Sequence, residues 1–134
     1  MELRESIDTV LAEGTTLTDR VYELLFERCP EARTLFDKTH MRAQSVMLSA
    51  ALMVTKYHPD YPQAAQQYLN VLGTRHARKD VPRELYAAFQ EVLLEALAEF
   101  HGKDWTEDLS RQWREALESS VQHMFDGYDQ SFHV

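Results

Sequence analysis

The chain has 134 residues, the length of one ordinary domain. Its 22 acidic residues outnumber its 14 lysines and arginines, giving a formal net charge of −8. This balance argues against a binder of duplex DNA or RNA, which needs a basic face to replace phosphate counterions. A single cysteine, Cys29, excludes an internal disulfide and any zinc or iron–sulfur site built from several cysteines.

No membrane or targeting segment is visible. The longest apolar stretch, residues 47–54, is far too short to span a bilayer. The first ten residues mix acidic and apolar side chains and lack the basic start of a secretory signal. We therefore expect a cytoplasmic protein with no membrane partner.

The spacing of apolar residues predicts helices in the first half of the chain. A short helix ends at Gly14, a second one is capped by Thr16 or Thr18, and a third begins at Pro30 and runs to about Phe36. A fourth helix starts near Met41 and ends before the two prolines of residues 58–62.

Three more helices are predicted in the second half. The first carries Tyr68, Leu72 and His76 four residues apart, and residues 80–82 end it. A strongly amphipathic helix follows, and a turn at residues 101–104 separates it from a long last helix that begins with Trp105 on its buried side. The predicted fold class is all-α, in a single domain of residues 1–134 with its core in about 3–128 and a frayed tail at 129–134.

The six histidines suggest a site with a single imidazole ligand. No two of them are three or four residues apart, and none follows a glutamate by three residues. This excludes a simple two-histidine zinc helix and a carboxylate-bridged di-iron bundle. A single imidazole suits haem, whose porphyrin supplies the other four nitrogens.

His76 is the candidate ligand, near the end of a helix and beside the cation Arg75. The alternative is a surface or partly buried histidine that interacts favourably with the helix dipole. A second group contains Tyr22, Phe36, Gln44 and Leu48, which could supply hydrogen-bond donors and apolar contacts in a haem pocket. Their alternative roles are core packing for the aromatic residues and a solvated helix start for Gln44.

The sequence resembles the bacterial globins, in the branch of flavohaemoglobins and single-domain haemoglobins. The resemblance spans about Leu3 to Tyr128, and it implies a three-over-three helical sandwich around haem b. It is carried by residues 17–22 (Leu-Thr-Asp-Arg-Val-Tyr), 29–36 (Cys-Pro-Glu-Ala-Arg-Thr-Leu-Phe), 72–76 (Leu-Gly-Thr-Arg-His), Val81, Tyr86, the 93–97 run and Trp113.

The resemblance implies a role for each matched position. His76 matches the proximal iron ligand, Tyr22 and Gln44 match the distal pair that hydrogen-bonds bound oxygen, and Leu48 matches the apolar residue over the iron. The remaining pocket positions are Phe36, Leu72, Arg75, Val81, Tyr86 and Phe89, with Phe36 packed on the porphyrin and Arg75 placed to pair a propionate.

The implied function is reversible binding of oxygen, and of other diatomic gases, with high affinity. The alternatives are nitric oxide dioxygenation with electrons from a separate reductase, gas sensing through a partner, and a haem-free helical interaction domain. The chain ends about where a globin domain should, so any catalytic cycle is expected to use that separate reductase. We expect a monomer or a weak dimer.

Two features depart from the family. Flavohaemoglobins carry a glutamate late in the last helix, where Tyr128 stands here with Asp126 two residues before it. The short segment before Gln44 contains His40 and Met41, either of which could approach the iron in a ligand-free form. The other four histidines are expected at the surface, with His123 facing solvent or an interface: His58, His101, His123 and His133.

Overall fold

A computed structural model describes residues 1–37 and 39–131 of the chain. No strand occurs in those residues, so the predicted all-α class is confirmed. None of their helices is long and apolar enough to cross a bilayer. His133 and the end of the predicted tail, residues 132–134, lie outside the described residues. The α-helices are α1 (Leu3–Ala12), α2 (Thr16–Arg28), α3 (Met41–Tyr57), α4 (Pro62–Arg78), α5 (Glu84–His101) and α6 (Glu107–Ser131), with 3₁₀ helices at Pro30–Phe36 and Gly102–Asp104.

The helix boundaries follow local chemistry. Proline is the first residue of both α4 and the 3₁₀ helix Pro30–Phe36, where its missing N–H costs nothing. Gly14 and Gly102 adopt positive φ angles of 67° and 57° after α1 and α5. The last helix starts two residues after Trp105, later than predicted, because the Thr106 hydroxyl caps it by accepting the Leu109 N–H at 3.1 Å.

The helices form two layers of three. In one layer α3 contacts both α1 and α4, and in the other α5 contacts both α2 and α6. The layers meet most extensively where α4 crosses α6. Side chains of both layers fill the core between them, and Ile7, Val21, Leu97 and Trp113 are all fully buried there.

Two glycines allow α4 and α6 to cross at close range. A Cβ added to Gly73 would overlap the backbone carbonyl of Met124, and one added to Gly127 would overlap the carbonyl of Asn70. The Thr74 hydroxyl lies 3.0 Å from the Gly127 carbonyl and fixes the crossing. His76 lies less than one helical turn after Gly73, so this crossing sets the position of the last turn of α4.

A buried polar network joins α1, α5 and α6. The Trp113 indole donates to Ser6 Oγ at 3.0 Å, and that hydroxyl lies 2.7 Å from His101 Nε2. His101 is only 8% exposed, so its predicted surface position was wrong. Two other histidines, His58 and His123, are half-buried and stack on each other with ring centroids 5.7 Å apart.

Candidate functional site

Tyr22 lies on α2 in a cluster of aromatic rings. Its side chain is buried, and its ring centroid is 5.7 Å from that of Phe36 and 6.2 Å from that of Phe89. Phe26, one turn along α2, also packs against Phe36. The 3₁₀ helix Pro30–Phe36 therefore brings Phe36 back onto the same part of α2 that carries Tyr22.

Gln44 and Tyr22 form a hydrogen bond across α2 and α3. The Gln44 amide donates to the Tyr22 hydroxyl at 3.1 Å. Because the Tyr22 oxygen accepts in this bond, its own proton is available to a further acceptor. Burial raises the pKa of Tyr22 to about 12, against a smaller opposing effect of the Gln44 bond. At neutral pH this pair consists of two uncharged hydrogen-bond donors.

A second contact beside this pair was not predicted from the sequence. The hydroxyl of Ser45, which is buried, donates to the Asp19 carboxylate at 2.6 Å. Asp19 precedes Tyr22 by one turn of α2, so consecutive residues of α3 are tied to consecutive turns of α2. A serine on the inner side of a helix was the available signal, because a buried hydroxyl needs a partner.

His76 lies half-buried in the last turn of α4. Its Nδ1 is 2.8 Å from the Leu72 carbonyl, an acceptor, so Nδ1 carries the proton and Nε2 keeps its lone pair. Burial lowers the pKa of His76, and the nearby Lys79 lowers it further, while the Leu72 bond acts in the opposite direction. The imidazole is therefore neutral, with Nε2 available as a metal ligand.

Aromatic residues of α5 and α6 surround the other side of His76. The Tyr86 ring centroid lies 6.1 Å from that of His76 and 5.7 Å from that of Tyr128. The Tyr128 hydroxyl donates to the Val81 carbonyl at 2.7 Å and so ties α6 to the turn after His76. Burial and the neighbouring Tyr128 raise the pKa of Tyr86. Tyr86 is therefore a neutral phenol at neutral pH.

One turn of α5 connects the two sides of the site. Tyr86 contacts His76, and Phe89, three residues later on the same helix, contacts Tyr22. Residues three apart lie on one helix face. The imidazole on α4 therefore borders this turn of α5 at Tyr86, and Tyr22 of the Tyr22–Gln44 pair borders it at Phe89. Helices α3 and α4 form the adjoining walls.

The remaining predicted residues lie on these same elements. Leu48, one turn after Gln44, packs against the core. Arg75 is exposed beside His76, His40 is exposed at the start of α3, and Met41 packs against the core. Within residues 1–37 and 39–131, no three His, Cys, Asp or Glu side chains converge on one point. Leu72 and Val81 are half-buried on either side of His76.

The chain is similar in sequence to known proteins. The globin family model matches residues 19–124. A globin-like protein of Aquifex aeolicus is 26% identical over 116 residues, covering 87% of this chain and 81% of its own length. A flavohaemoprotein of Halalkalibacterium halodurans is 29% identical over 112 residues, covering 81% of this chain. The chain spans only 27% of that relative.

Two solved structures share the fold. An engineered carbene transferase built on a suspected nitric oxide dioxygenase of Rhodothermus marinus superposes with a TM-score of 0.86 at 29% identity, over 98% of this chain and 91% of that one. A bacterial globin of Campylobacter jejuni superposes with a TM-score of 0.85 at 17% identity, over 98% and 95%. The two layers of three helices are thus the globin fold, and the chain belongs to the globin family, whose members bind haem and small gases.

Proposed function

We propose that this protein binds haem b through His76 and reversibly binds oxygen with high affinity. One observation carries the proposal: His76 Nε2 is left free by the bond from Nδ1 to the Leu72 carbonyl, across a shared turn of α5 from the paired donors Tyr22 and Gln44. When bound, haem supplies a ferrous iron with one open position for a diatomic gas.

The residues present fit a haem group. His76 is a lone neutral imidazole with a fixed tautomer, which is the donor that a porphyrin-bound iron requires from a protein. Arg75 is exposed beside it, and no ion pair of the described residues involves its side chain, so it can pair with a propionate. The apolar residues proposed to contact the ring are Phe36, Leu48, Leu72, Val81 and Phe89, with Tyr86 against the imidazole.

The distal pair determines how tightly a polar gas is held. Tyr22 is buried and Gln44 half-buried, and both are uncharged donors whose hydrogen bonds each contribute on the order of 1–3 kcal/mol. Two such bonds slow the release of oxygen by about one to three orders of magnitude. We therefore expect this protein to retain oxygen when the oxygen concentration is low and to be poorly suited to bulk delivery of oxygen.

Nitric oxide dioxygenation is the second candidate. It is supported by the likeness to the flavohaemoproteins and to the Rhodothermus marinus protein. The reaction joins nitric oxide, oxygen and one electron into nitrate, so each turnover consumes one electron. We propose a separate reductase as the donor of that electron. In this role Tyr22 and Gln44 hold oxygen in place until nitric oxide arrives.

Absorption spectra of the purified protein test the haem proposal. Ferric, ferrous and oxygenated samples are expected to show a Soret band and a stable oxygenated form, and His76→Ala is expected to lose tight haem binding. No haem uptake by the wild type, or full haem affinity in His76→Ala, contradicts the proposal and favours a haem-free interaction domain. A ferrous spectrum with two protein ligands instead indicates that His40 or Met41 binds the iron.

A second measurement separates the two candidate functions. The oxygenated protein is mixed with nitric oxide in a stopped-flow instrument, with and without a flavin reductase and a nicotinamide cofactor. Sustained consumption of nitric oxide with nitrate as product supports the dioxygenase. A single turnover that the reductase does not restart supports oxygen binding alone.

A further inference from the structure

Asp19 joins α2 to α3 through a carboxylate whose two oxygens are both engaged. The Ser45 hydroxyl donates to Asp19 Oδ1 at 2.6 Å, and the Thr15 hydroxyl donates to Asp19 Oδ2 at 3.1 Å. A hydroxyl that donates to a charged oxygen at 2.6 Å forms a hydrogen bond of the short, strong class. Thr15 directly precedes α2, so the start of this helix holds the carboxylate that in turn holds α3.

The Asp19–Ser45 bond lies beside the Tyr22–Gln44 bond on both helices. Ser45 follows Gln44 on α3, and Asp19 precedes Tyr22 by three residues on α2, a distance of about 4.5 Å along the helix axis. Consecutive residues point about 100° apart around a helix. Two bonds in these two directions therefore prevent α3 from rolling about its own axis as well as from sliding along α2.

Few polar side chains connect α2 and α3. The hydroxyls of Ser49 and Thr55 on α3 donate to carbonyls of their own helix, those of Ser45 and Ala51. Among residues 1–37 and 39–131, the only side-chain hydrogen bonds between α2 and α3 are those made by Gln44 and Ser45. Loss of the Ser45 bond therefore leaves Gln44 as the single polar connection.

The two bonds differ in how firmly they fix the backbone of α3. Ser45 is only 2% exposed, and a single side-chain torsion separates its backbone from the hydroxyl oxygen. Gln44 is half-buried, and three torsions separate its backbone from the amide nitrogen. A bond made through one torsion restrains the backbone more closely than a bond made through three. Ser45 therefore sets the position of α3, and Gln44 reaches Tyr22 from that position.

We propose that Asp19 and Ser45 are positioning residues for the distal donors, and that they thereby set the preference for oxygen over carbon monoxide. They act through Gln44, which they hold against Tyr22, so the inference rests on the proposed function. Bound oxygen accepts a hydrogen bond, whereas bound carbon monoxide is almost apolar and gains little from a donor. Because specificity is a difference between two affinities, loosening the donors should weaken the binding of oxygen alone.

Ser45→Ala and Ser49→Ala form a matched pair of variants for the test. Both remove one hydroxyl from α3, but the Ser49 hydroxyl bonds only within its own helix. In haem-loaded Ser45→Ala the oxygen dissociation rate is expected to rise about three- to tenfold, because the distal donors lose part of one hydrogen bond. The carbon monoxide dissociation rate should change less than about twofold. Ser49→Ala is expected to leave both rates as they are in the wild type.

Substitutions of Asp19 test the acceptor of this bond. Asp19→Asn keeps an oxygen that can accept from Ser45, so its oxygen dissociation rate should lie between those of the wild type and Asp19→Ala. The double variant of Asp19→Ala and Ser45→Ala should release oxygen no faster than the faster single variant, because the two residues form one bond. Stopped-flow displacement of each gas measures these rates.

A second measurement needs neither haem nor gas. Cross-relaxation between the Gln44 side-chain amide and the Tyr22 ring, in NMR spectra of the purified protein, reports whether the two side chains stay in contact. This signal is expected in the wild type and in Ser49→Ala, and it should weaken in Ser45→Ala. A wild type that takes up no haem would refute the proposed function, while the same signal would still test the positioning role.

Three outcomes overturn the proposal. One is a Ser45→Ala variant that keeps both the oxygen dissociation rate and the Gln44–Tyr22 contact of the wild type. Another is an equal rise in the dissociation rates of oxygen and carbon monoxide, which would indicate a general loosening of the pocket. The last is a Ser49→Ala variant that behaves as Ser45→Ala does, which would assign the effect to the packing of α3. Unaltered circular dichroism and Soret spectra show that each variant is folded.

Discussion

The two sides of the candidate haem site are held in place differently. On the distal side, Gln44 is bonded to Tyr22 and Ser45 to Asp19, so both polar contacts cross from α3 to α2. On the proximal side, His76 is bonded to the backbone of its own helix, and the nearest fixed element is α6 behind it. The distal geometry depends on side chains of two helices, whereas the proximal geometry depends on the position of one.

This difference has a chemical consequence. A carboxylate accepting from Nδ1 makes a coordinating imidazole more basic, whereas a backbone carbonyl does so less. Tyr128 directs its hydroxyl to the Val81 carbonyl and remains neutral. The proximal side thus supplies a weakly donating neutral imidazole, while the distal side supplies two hydrogen-bond donors. Such a combination favours holding a gas over activating it.

The largest expected effect is on the proximal side. His76→Ala removes the only iron ligand that we propose from the protein, so haem affinity should fall by about a thousandfold or more, on the order of 4 kcal/mol. Haem titration followed at the Soret band measures this change. Free imidazole should restore the wild-type ferrous spectrum by occupying the vacated position.

His40→Ala is the matched control for that substitution. His40 is exposed at the start of α3 and is expected to contribute nothing to haem affinity. If His40→Ala weakens haem binding more than His76→Ala does, then His40 is the iron ligand, and the proximal and distal sides of the site are interchanged.

The second effect concerns the support of α4 by α6. Gly73→Ala places a methyl group against the Met124 carbonyl, which is backbone and cannot rotate away, so the free energy of unfolding should fall by about 3 kcal/mol. Urea unfolding measures it. Haem affinity should fall as well, because the helix that carries His76 must move, whereas the Tyr22–Gln44 bond is untouched.

Gly14→Ala separates packing from backbone conformation. Gly14 has a positive φ of 67° but nothing within 4 Å of an added Cβ, so only about 1 kcal/mol should be lost. Equal losses in the two variants would show that α4 and α6 can separate without difficulty, and that the proximal side is less constrained than its packing indicates.

Much of the fold could be predicted from the sequence, since apolar spacing and proline positions mark most helix ends. Met41–Tyr57 and the 3₁₀ helix Pro30–Phe36 match their predicted bounds. The predictions that were wrong concern residues whose contacts come from distant parts of the sequence. His101 is the last residue of an amphipathic helix, and only the fold reveals that it contacts Ser6, whose hydroxyl also accepts from the Trp113 indole.

The candidate site divides in the same way. Its ligand-type residues were predicted because imidazole, phenol and amide groups at family positions are specific signals. The bond of Tyr128 to Val81 and that of Ser45 to Asp19 were not predicted, because both join residues whose types also occur in many ordinary surfaces. The roles of His76, Tyr22 and Gln44 towards haem and gas stay predictions until the experiments above are done.

The third effect is on the distal side. Tyr22→Phe removes the buried hydroxyl and should raise the rate of oxygen dissociation about 10- to 100-fold, since one hydrogen bond of about 2 kcal/mol is lost. Gln44→Leu should act in the same direction. The two changes should not add, because these residues are bonded to each other. Stopped-flow displacement of oxygen by carbon monoxide measures the two single variants and the double variant.

Tyr86→Phe is the control on the proximal side. It removes a buried hydroxyl of the same kind that makes no contact with a bound gas, so the rate should change less than about threefold. A larger change in Tyr86→Phe than in Tyr22→Phe would mean that the proximal environment, and not the distal donors, controls oxygen release.

The smallest effect is a pH dependence of the free energy of unfolding, which arises from His76 on the proximal side and from His101 outside the site. Burial lowers the pKa of His76, and burial also lowers that of His101. The unfolded chain takes up protons near pH 6.5 while the folded chain does not, so the free energy of unfolding of the haem-free protein should fall as pH drops below that value. The slope is at most about 1.4 kcal/mol per pH unit for each histidine. Urea unfolding between pH 5.5 and 7.5 measures it, and His76→Gln and His101→Gln should each flatten it.

Oxygen release should show no such dependence over the same range. The distal donors are an amide, which does not ionise, and Tyr22, whose pKa burial raises to about 12. A proton therefore competes with iron for His76 Nε2 but leaves the Tyr22–Gln44 pair unchanged. Acid should loosen haem retention while the oxygen dissociation rate of the protein that still holds haem stays constant. If that rate instead rises in step with haem loss, the distal contacts depend on the protonation of α4, and the two sides act as one coupled unit.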